Sequence, residues 1–280
     1  MNKKCKIGMI NFLNGLIPDY HFENTLFTKT YGLPAELNKL LREGDLDISP
    51  VSSMEYILNS SNYSILPGLC ISAFKEVQTV GVFSNLAPTE WDRKKIYLSG
   101  ASLTSKYLLK VICKKYLKVD PIFIEQKIEI ADKESFEQII KKYDGVLLIG
   151  DRVFEFKNNF QWQFYDLARM WFEATELPFV FALWLVRNNF IENNCEIISK
   201  VHYLQLEAII EGLSHLEEVY EKNSKNLTFK EFSNFLENIM NYQLSPFELL
   251  GLKKFSEDLI ELRMISDFEG FHFFDSKLQP

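Results

Sequence analysis

Short apolar segments, typical of strands, alternate with amphipathic segments, typical of helices, over the first two thirds of the chain. Residues 34–44 show the helical pattern, since Pro34 opens the segment, leucines form one stripe and Gly44 ends it. Residues 145–149 are apolar throughout, as in a strand buried on both faces. The alternation predicts an α/β fold in which helices cover both faces of the sheets.

The same patterns predict the remaining elements of this region. Strands are expected at residues 4–10, 46–49, 78–83, 95–98, 121–124, 145–149 and 179–186. Helices are expected at residues 34–44, 54–58, 102–117 and 133–142.

The last third of the chain changes character. Apolar residues recur at helical spacing over residues 190–222, and residues 228–240 and 246–262 continue the pattern. Thr228 and Ser245 stand where helix N-caps are expected. The sequence therefore predicts a helical C-terminal tail.

Charge and hydropathy argue against two classes of partner. The 31 Lys and Arg against 38 Asp and Glu give a formal net charge of −7, whereas a general nucleic-acid binder carries a basic excess. No apolar run approaches the ~20 residues of a membrane-spanning helix. The basic N-terminus leads into a stretch broken by Asn11, Asn14 and Pro18, which predicts a first strand rather than a signal peptide. We therefore expect a cytoplasmic protein with no nucleic-acid or membrane partner.

The common metal and catalytic motifs are missing from the sequence. The four cysteines, at 5, 70, 113 and 195, form no C-x-x-C pair and have no histidine at ligand spacing, so buried free thiols and no metal site are expected. The sequence contains no G-x-S-x-G elbow, phosphate-binding loop, G-x-G-x-x-G or H-E-x-x-H motif.

Ligands of an open α/β sheet bind where strands lead into helices. Four such junctions cover residues 7–15, 47–54, 97–105 and 147–152. The second and third place several hydroxyl groups at a helix start, where unpaired N–H groups and the helix dipole attract anions. Ser53 and Ser102 fit ordinary N-caps, whereas Thr104 and Ser105 exceed what a cap needs. Two such junctions suit a ligand with two carboxylates.

Asp151 closes the fourth junction. Because the preceding strand, residues 145–149, is so apolar, the carboxylate must emerge at the edge of the sheet. There it either caps the next helix, the usual role of such a residue, or acts as an acid or base.

Together the junctions resemble the chorismate dehydratases of the futalosine route to menaquinone. The resembling segments follow the family's order and spacing over residues 7–187. They include Ile10-Asn11-Phe12-Leu13-Asn14, Val51-Ser52-Ser53-Met54-Glu55-Tyr56, Ser102-Leu103-Thr104-Ser105, Leu148-Ile149-Gly150-Asp151 and Thr175-Glu176-Leu177-Pro178-Phe179. The chain departs from the family after Asn14, where proline usually follows within three residues and Pro18 here is four away.

The resemblance implies the two-lobed fold of type II periplasmic binding proteins, with the ligand in a cleft between the lobes. One lobe is expected to hold residues 1–85 and 187–280, including the helical tail. Residues 86–186 are expected to form the other lobe.

The resemblance also implies a carbon–oxygen lyase, a hydro-lyase that converts chorismate to 3-[(1-carboxyvinyl)oxy]benzoate without cofactor or metal. Chorismate is then the small-molecule partner. The residues expected to bind its carboxylates are Ser102, Thr104 and Ser105 at one end and Ser53 and Ser84 at the other. Asn14 is expected to orient the reacting face. The proton acceptor is expected to be the substrate's own enolpyruvyl carboxylate or Asp151.

Two alternatives stay open at this point. A sister enzyme of the same pathway, 1,4-dihydroxy-6-naphthoate synthase, shares the fold but carries a His in an Ile-His-Glu run where this chain has Ile149-Gly150-Asp151. The other alternative is a cytoplasmic protein that binds a dicarboxylate and leaves it unchanged, because a fold does not establish a function.

Overall fold

The computed structural model describes residues 4–100, 102–125, 130, 132–159, 162–223 and 227–275. The chain divides into two compact units, each of them discontinuous in sequence. Unit 1 consists of Met1–Ser72, Val180–Pro246 and Phe268–Pro280. Unit 2 consists of Ala73–Phe179 and Phe247–Asp267.

The described residues form the following elements. The strands are β1 Cys5–Ile10, β2 Phe27–Gly32, β3 Ile48–Ser52, β4 Tyr63–Ala73, β5 Val80–Ser84, β6 Lys95–Leu98, β7 Ile122–Glu125, β8 Gly145–Ile149, β9 Gln163–Asp166, β10 Phe179–Arg187 and β11 Met240–Leu244. The α-helices are α1 Leu16–Asp19, α2 Pro34–Glu43, α3 Ser53–Leu58, α4 Leu103–Val111, α5 Lys133–Ile140, α6 Arg152–Asn159, α7 Leu167–Thr175, α8 Asn188–Ile191, α9 Cys195–Ser214, α10 Leu216–Asn223, α11 Phe229–Ser233 and α12 Pro246–Glu261. Short 3₁₀ turns are Leu13–Gly15, Ser60–Asn62 and Pro88–Glu90, and π-helical turns are Ile112–Leu117 and Asn234–Ile239.

The described part of unit 1 contains a six-stranded sheet of order β11-β4-β10-β3-β1-β2. Strand β1 pairs in parallel with β2 and with β3, in registers that match Cys5 with Phe27 and Ile7 with Ile48. Strand β10 runs antiparallel to β3, with Ala182 opposite Ser52. Three parallel strands are thus bordered by an antiparallel fourth.

The described part of unit 2 contains a five-stranded sheet of order β7-β6-β8-β5-β9. Strand β6 is parallel to β7 and β8, while β5 is antiparallel to β8 and β9. The arrangement repeats that of unit 1. Helices join the parallel strands in both units, as parallel pairing requires, and the predicted α/β class is confirmed.

One face of the unit 2 sheet packs on an aromatic core. Phe83 on β5 and Phe136 on α5 are fully buried, with ring centroids 5.2 Å apart. Phe136 stacks in turn on Phe156 of α6 at 4.5 Å. Strand β8 packs against this core, and its carboxyl end leads to Asp151.

Most predicted helices and strands are present, with bounds that differ by a few residues. Helix α2 ends as predicted, because Gly44 has a φ of +87°, a conformation that favours glycine. Strands β2, β4, β9 and β11 were not predicted. Strand β2 lies at the edge of its sheet and exposes polar side chains, so it lacks the apolar pattern of a buried strand.

The predicted helical tail is confirmed, and the gap between its predicted helices at 228–240 and 246–262 contains the strand β11, which joins the sheet of unit 1 beside β4. The residues of β11, Met-Asn-Tyr-Gln-Leu, follow the π-helical turn at 234–239 and alternate between buried and less buried positions. This period of two fits a strand with one buried face. The rest of the described tail is helical apart from turns and the segment after α12.

The unit boundaries differ from the predicted lobes at three segments. Residues 73–85 belong to unit 2, since β5 pairs with β8 and β9. Residues 180–186 belong to unit 1, since β10 pairs with β3. Residues 247–267 belong to unit 2, because Phe255 on α12 packs against the Trp171 ring with centroids 6.1 Å apart.

Candidate active site

The carboxyl ends of β1 and β3 lie at the same edge of the unit 1 sheet, because the two strands are parallel neighbours. Strand β1 leads into the 3₁₀ turn that carries Asn14, and β3 leads into helix α3 with Ser52 and Ser53. Two of the four predicted junctions are therefore adjacent, as the principle of ligand binding at the carboxyl ends of parallel strands expects.

Asn14 presents an unpaired amide oxygen at this edge. Its Oδ1 is buried and has no hydrogen-bond partner among the described residues. A buried polar atom without a partner costs about 1–3 kcal/mol, and such atoms in native structures call for an explanation such as a bound ligand. The side chain is therefore suited to accept a hydrogen bond from a ligand hydroxyl group.

The turn that holds Asn14 is packed tightly onto the end of β1. A Cβ atom added to Gly15 would lie 2.0 Å from the carbonyl oxygen of Ile10, so only glycine permits this approach. The amide of Gly15 donates to the carbonyl of Phe12 at 2.8 Å, which closes the turn. The placement of Asn14 is thereby tied to the backbone of β1.

The N-cap of α3 is Ser52, not Ser53 as predicted. The Ser52 hydroxyl accepts the amide N–H of Glu55 at 3.2 Å and the Nδ2 of Asn38 at 2.8 Å. Ser53 is fully buried, and its hydroxyl donates to the carbonyl of Val180 at 2.7 Å. Because its one proton is used there, the Ser53 side chain has no donor left for a carboxylate.

The carboxyl ends of β6 and β8 lie together at one edge of the unit 2 sheet, again because these strands are parallel neighbours. Strand β6 leads to the serines and threonine at the start of α4, and β8 leads to Gly150 and Asp151. The structure thus brings together four of the predicted residues, Ser102, Thr104, Ser105 and Asp151.

The start of α4 is a buried cluster of hydroxyl groups. Ser102 is the N-cap, and its hydroxyl accepts both the amide N–H of Ser105 at 3.2 Å and the Ser105 hydroxyl at 3.0 Å. Thr104 and Ser105 are 0% and 1% exposed. With two bonds accepted, the Ser102 hydroxyl keeps its own proton to donate. The first turn of a helix also has N–H groups without intrahelical partners, so these N–H groups and the Ser102 hydroxyl are suited to bind an anion.

The nearest charged side chain in sequence is that of Lys106, and it forms an ion pair with another residue of unit 2. Its Nζ bonds to Glu125 on β7 at 3.0 Å, and Lys110 reaches the same carboxylate at 3.1 Å. The hydrogen bond from Lys106 is the main reason why the pKa of Glu125 is lowered. The attraction for an anion at this helix start therefore comes from hydroxyl and amide groups.

Ser99 is a residue of this edge that sequence analysis missed. It follows β6 directly, its amide donates to the carbonyl of Leu147 at 3.2 Å, and its Oγ is buried without a partner in the described part of the chain. The signal in the sequence was weak, a hydroxyl residue directly after a strand. Because its Oγ is unpaired, Ser99 is a candidate ligand contact in addition to Ser102.

Ser84 lies at the opposite edge of the sheet from the carboxyl end of β8, and its assignment to the substrate site stays a prediction that this placement does not support. Strand β5 is antiparallel to β8, and Ser84 pairs with Gly145 at the amino end of β8. Its hydroxyl donates to the carbonyl of Asp144 at 2.7 Å and accepts the amide of Leu86 at 3.1 Å. The residue stabilises a turn. The amino end of β5 reaches the site edge instead, where the carbonyl of Thr79 accepts the amide of Gly150 at 2.8 Å.

Asp151 stands immediately before α6. Its carbonyl accepts the amide N–H of Phe154 at 3.1 Å, as at a helix start, and the residue is half-buried. Gly150 before it has a φ of +89°, a conformation that L-residues with side chains rarely adopt. This left-handed residue turns the chain from β8 into α6 and sets the direction of Asp151.

The prediction of buried thiols is confirmed for Cys5, Cys70 and Cys113, which are buried and form no disulfide. Burial, helped by the nearby Asp47 carboxylate, raises the pKa of Cys5 to about 12. The fourth, Cys195, is free and only partly buried.

The described residues show neither a cluster of metal ligands nor a membrane-spanning helix. Within the described ranges, no three His, Cys, Asp or Glu side chains are grouped so that they could hold a metal ion. In the same ranges, no helix combines the length and apolarity that crossing a bilayer requires.

The fold is that of the periplasmic binding proteins. The chain is similar to the aliphatic sulphonate binding protein SsuA from Escherichia coli, with a TM-score of 0.65 and 11% identity over 100% of this chain and 96% of that one. It is also similar to a Candida albicans gene product described as having the generic periplasmic binding protein structural fold, with a TM-score of 0.65 and 12% identity over 98% of each chain.

Sequence comparison defines the family within this fold. The model of the menaquinone biosynthesis family matches residues 5–260. A chorismate dehydratase from Thermus thermophilus is 31% identical over 272 residues, which cover 90% of this chain and 94% of that protein. The chain belongs to the menaquinone biosynthesis family.

Proposed function

We propose that the protein is a chorismate dehydratase that acts in menaquinone biosynthesis. It removes water from chorismate and forms 3-[(1-carboxyvinyl)oxy]benzoate, which makes it a hydro-lyase. The observation that carries the proposal is the 31% identity with the Thermus thermophilus chorismate dehydratase over nearly the full length of both chains. The unpaired Asn14 oxygen and the hydroxyl cluster at the start of α4 supply the groups that such a substrate needs. A cytoplasmic location stays a prediction.

The reaction removes a proton from the ring carbon that carries the enolpyruvyl ether and hydroxide from its neighbour. The developing negative charge is delocalised into the ring carboxylate, and loss of hydroxide makes the ring aromatic. Proton and hydroxide together leave as one water, so no oxidant or reductant is consumed. The protein therefore has to orient the ring, hold its carboxylates and assist proton movement.

The chain offers groups for each of these tasks. Ser102, with the hydroxyl proton that it keeps, and Thr104 hold one carboxylate at the start of α4. Ser105 orients Ser102 by donating both its amide N–H and its hydroxyl group to the Ser102 oxygen. Asn14 contacts the reacting face through its unpaired Oδ1 and orients a substrate hydroxyl group. A neutral amide is not a base, so the proton passes to another group.

Two groups are candidates for the proton acceptor, the substrate's own enolpyruvyl carboxylate and Asp151. An Asp151→Asn variant separates them, since asparagine keeps the shape of the side chain and removes its basicity. Loss of kcat by a factor of about 10² or more supports Asp151. A nearly unchanged kcat supports the substrate carboxylate.

The sister synthase is less favoured by the backbone at residue 150. The family pattern of that enzyme has His at this position, whereas this chain has glycine at a φ of +89°. A histidine would have to adopt a left-handed conformation there, at a cost of about 1–2 kcal/mol. The local backbone is therefore adapted to glycine.

The test is incubation of the purified protein with chorismate, without added metal or cofactor, followed by chromatography and mass analysis. A product lighter by one water is expected. An Asn14→Ala variant is expected to lose about 10²- to 10³-fold in kcat. Asn62→Ala is the matched control, because Asn62 is an exposed asparagine in another 3₁₀ turn.

Each other outcome has a definite meaning. Chorismate that binds and is recovered unchanged indicates a dicarboxylate-binding protein. If the protein neither binds chorismate nor converts it, the chorismate proposal is ruled out. The substrate of the sister synthase is then tested.

A further inference from the structure

Helix α9 packs closely on the segment that follows Asn14. The approach depends on Gly212, where an added Cβ would lie 2.9 Å from the carbonyl oxygen of Ile17 and 3.1 Å from the Cβ of Tyr20. Residues 17 and 212 are far apart in sequence and both belong to unit 1. The helix thus lies directly against the backbone of α1.

One side chain of α9 reaches into this contact. Gln205 is 0% exposed, and its Nε2 donates to the carbonyl of Pro18 at 2.6 Å. Its Oε1 is buried and has no hydrogen-bond partner among the described residues. An apolar side chain of similar volume would fill the space without that unpaired oxygen. Packing alone therefore does not account for glutamine at this position, whereas the bond to Pro18 does.

The Pro18 carbonyl belongs to the same short segment as Asn14. At one end of the segment, Gly15 is pressed against the carbonyl of Ile10. At the other end, the Asp19 carboxylate binds Lys29 Nζ on β2 at 2.6 Å. Between these two points, Gln205 on α9 binds the carbonyl of Pro18. The segment that follows Asn14 is thereby fixed to β1, β2 and α9.

We propose that Gln205 is a positioning residue for Asn14. The hydrogen bond from its Nε2 to Pro18 fixes the turn over residues 13–19 and so sets where the Asn14 amide meets the substrate. The proposal rests on the proposed function, because it takes Asn14 to contact the reacting face.

Helix α9 supplies a matched control one turn earlier. His202 Nε2 bonds to the carbonyl of Pro67 at 2.7 Å, so both residues link the same helix to a proline carbonyl. Pro67 lies on β4, in a different part of unit 1 from the Asn14 turn. Loss of either bond removes one hydrogen bond of this helix to a proline carbonyl, but only loss of the Gln205 bond releases the turn at Asn14.

The kinetic test compares Gln205→Met with His202→Met. We expect Gln205→Met to lower kcat by about 10²-fold with little change in KM, because small displacements of orienting groups cost this much. His202→Met is expected to keep the wild-type kcat. In an Asn14→Ala background, Gln205→Met is expected to have no further effect on kcat. An unchanged kcat in Gln205→Met, or effects that multiply in the double variant, would overturn the proposal.

Gln205→Glu is a second variant with a different readout. A protonated glutamic acid donates to the Pro18 carbonyl, whereas the carboxylate cannot. We therefore expect kcat of this variant to recover as the pH falls, with a new limb absent from the wild-type profile. A pH profile parallel to that of the wild type, at a kcat below the wild-type value, contradicts a positioning role.

Hydrogen exchange separates failure of this inference from failure of the proposed function. Gln205→Met is expected to speed exchange of amides in residues 13–20, and His202→Met to speed exchange in residues 63–70 instead. If the wild type does not turn over chorismate, the proposed function fails and the exchange data alone decide whether Gln205 holds the turn. Unchanged exchange at residues 13–20 refutes the inference in either case.

Discussion

The hydroxyl group of Ser105 donates a hydrogen bond to that of Ser102 over 3.0 Å at the start of α4. Ser102 also caps the helix by accepting the amide of Ser105. The Ser102 Oγ atom therefore both stabilises the helix and belongs to the proposed carboxylate site.

Replacement of Ser102 by alanine is expected to lower both stability and activity. Loss of the cap destabilises the fold by about 1 kcal/mol. Loss of a donor to a substrate carboxylate lowers kcat/KM by about 10- to 100-fold. Denaturant unfolding and steady-state kinetics measure the two effects. Thr228→Ala is the control, because Thr228 caps α11 by accepting the amide of Glu231. It should lose similar stability and keep its kcat/KM, and equal kinetic losses in both variants would contradict the site assignment.

Ser99 and Ser84 are expected to respond differently to the same substitution. Ser99→Ala removes an unpaired hydroxyl at the site edge, so KM for chorismate should rise about 3- to 10-fold with stability unchanged or improved. Ser84→Ala removes a hydroxyl that bonds to Asp144 and Leu86 at the opposite edge. It should lose about 1 kcal/mol of stability with wild-type kinetics. Kinetics and unfolding of the two variants form the test, and a raised KM in Ser84→Ala would contradict the observed register.

Gly150→Ala is expected to destabilise the fold by about 1–2 kcal/mol, because the residue has a φ of +89°. The same turn sets the direction of Asp151, so a fall in kcat would support Asp151 as the proton acceptor and an unchanged kcat the substrate carboxylate. Thermal unfolding and kcat are the measurements. Gly100→Ala serves as the stability control, since an added Cβ there meets no atom within 4 Å. Equal stability of the two variants would argue against the left-handed turn.

Asp258 on α12 is a buried anchor whose loss is expected to be costly. It is 0% exposed and binds Lys115 at 2.7 Å and the Tyr116 hydroxyl at 2.5 Å, all within unit 2. Asp258→Ala leaves these partners without their shared acceptor, so a loss of about 3–5 kcal/mol is expected in denaturant unfolding. Glu257→Ala is the matched control, because Glu257 is an exposed neighbour that pairs with Lys253.

The same cluster predicts loss of stability at alkaline pH. Burial lowers the pKa of Lys115, but hydrogen bonds to Asp258 and Glu261 outweigh it and raise the pKa overall. Burial and the bond to Asp258 raise the pKa of Tyr116. Both groups keep their protons longer when folded, so their stabilisation is present below pH about 10 and is lost as the pH rises further. The free energy of unfolding, measured from pH 8 to 11, should fall above pH about 10. The Asp258→Ala variant should show a smaller fall.

The sequence was sufficient wherever a feature depends on neighbouring residues. The stripe and terminal glycine of α2, the apolar run of β8 and the capping residue of α11 are local patterns. The hydroxyl-rich start of α4 was predicted for the same reason, because a helix N-terminus exposes its donors whatever surrounds it. Edge strands such as β2 and β11 were missed, since exposure on one side removes the apolar signal.

Tertiary structure decided which of the candidate residues share an edge. The antiparallel direction of β5 carries Ser84 away from Ser102 by roughly 13 Å of strand length, and no local pattern reveals strand direction. Strand β10 brings the carbonyl of Val180 beside Ser53, and this carbonyl accepts the hydrogen bond from the Ser53 hydroxyl. The sequence had predicted that this hydroxyl would bind substrate.

The α/β class, the helix starts and the chemistry available at each junction can be derived from the sequence alone, because they follow from side-chain type and from periodicity along the chain. Which junctions share an edge, which hydroxyl groups remain unpaired and how Gln205 reaches Pro18 depend on the three-dimensional packing. Hydrogen bonds between distant segments depend on packing in three dimensions, and a one-dimensional pattern does not contain the distances that create them.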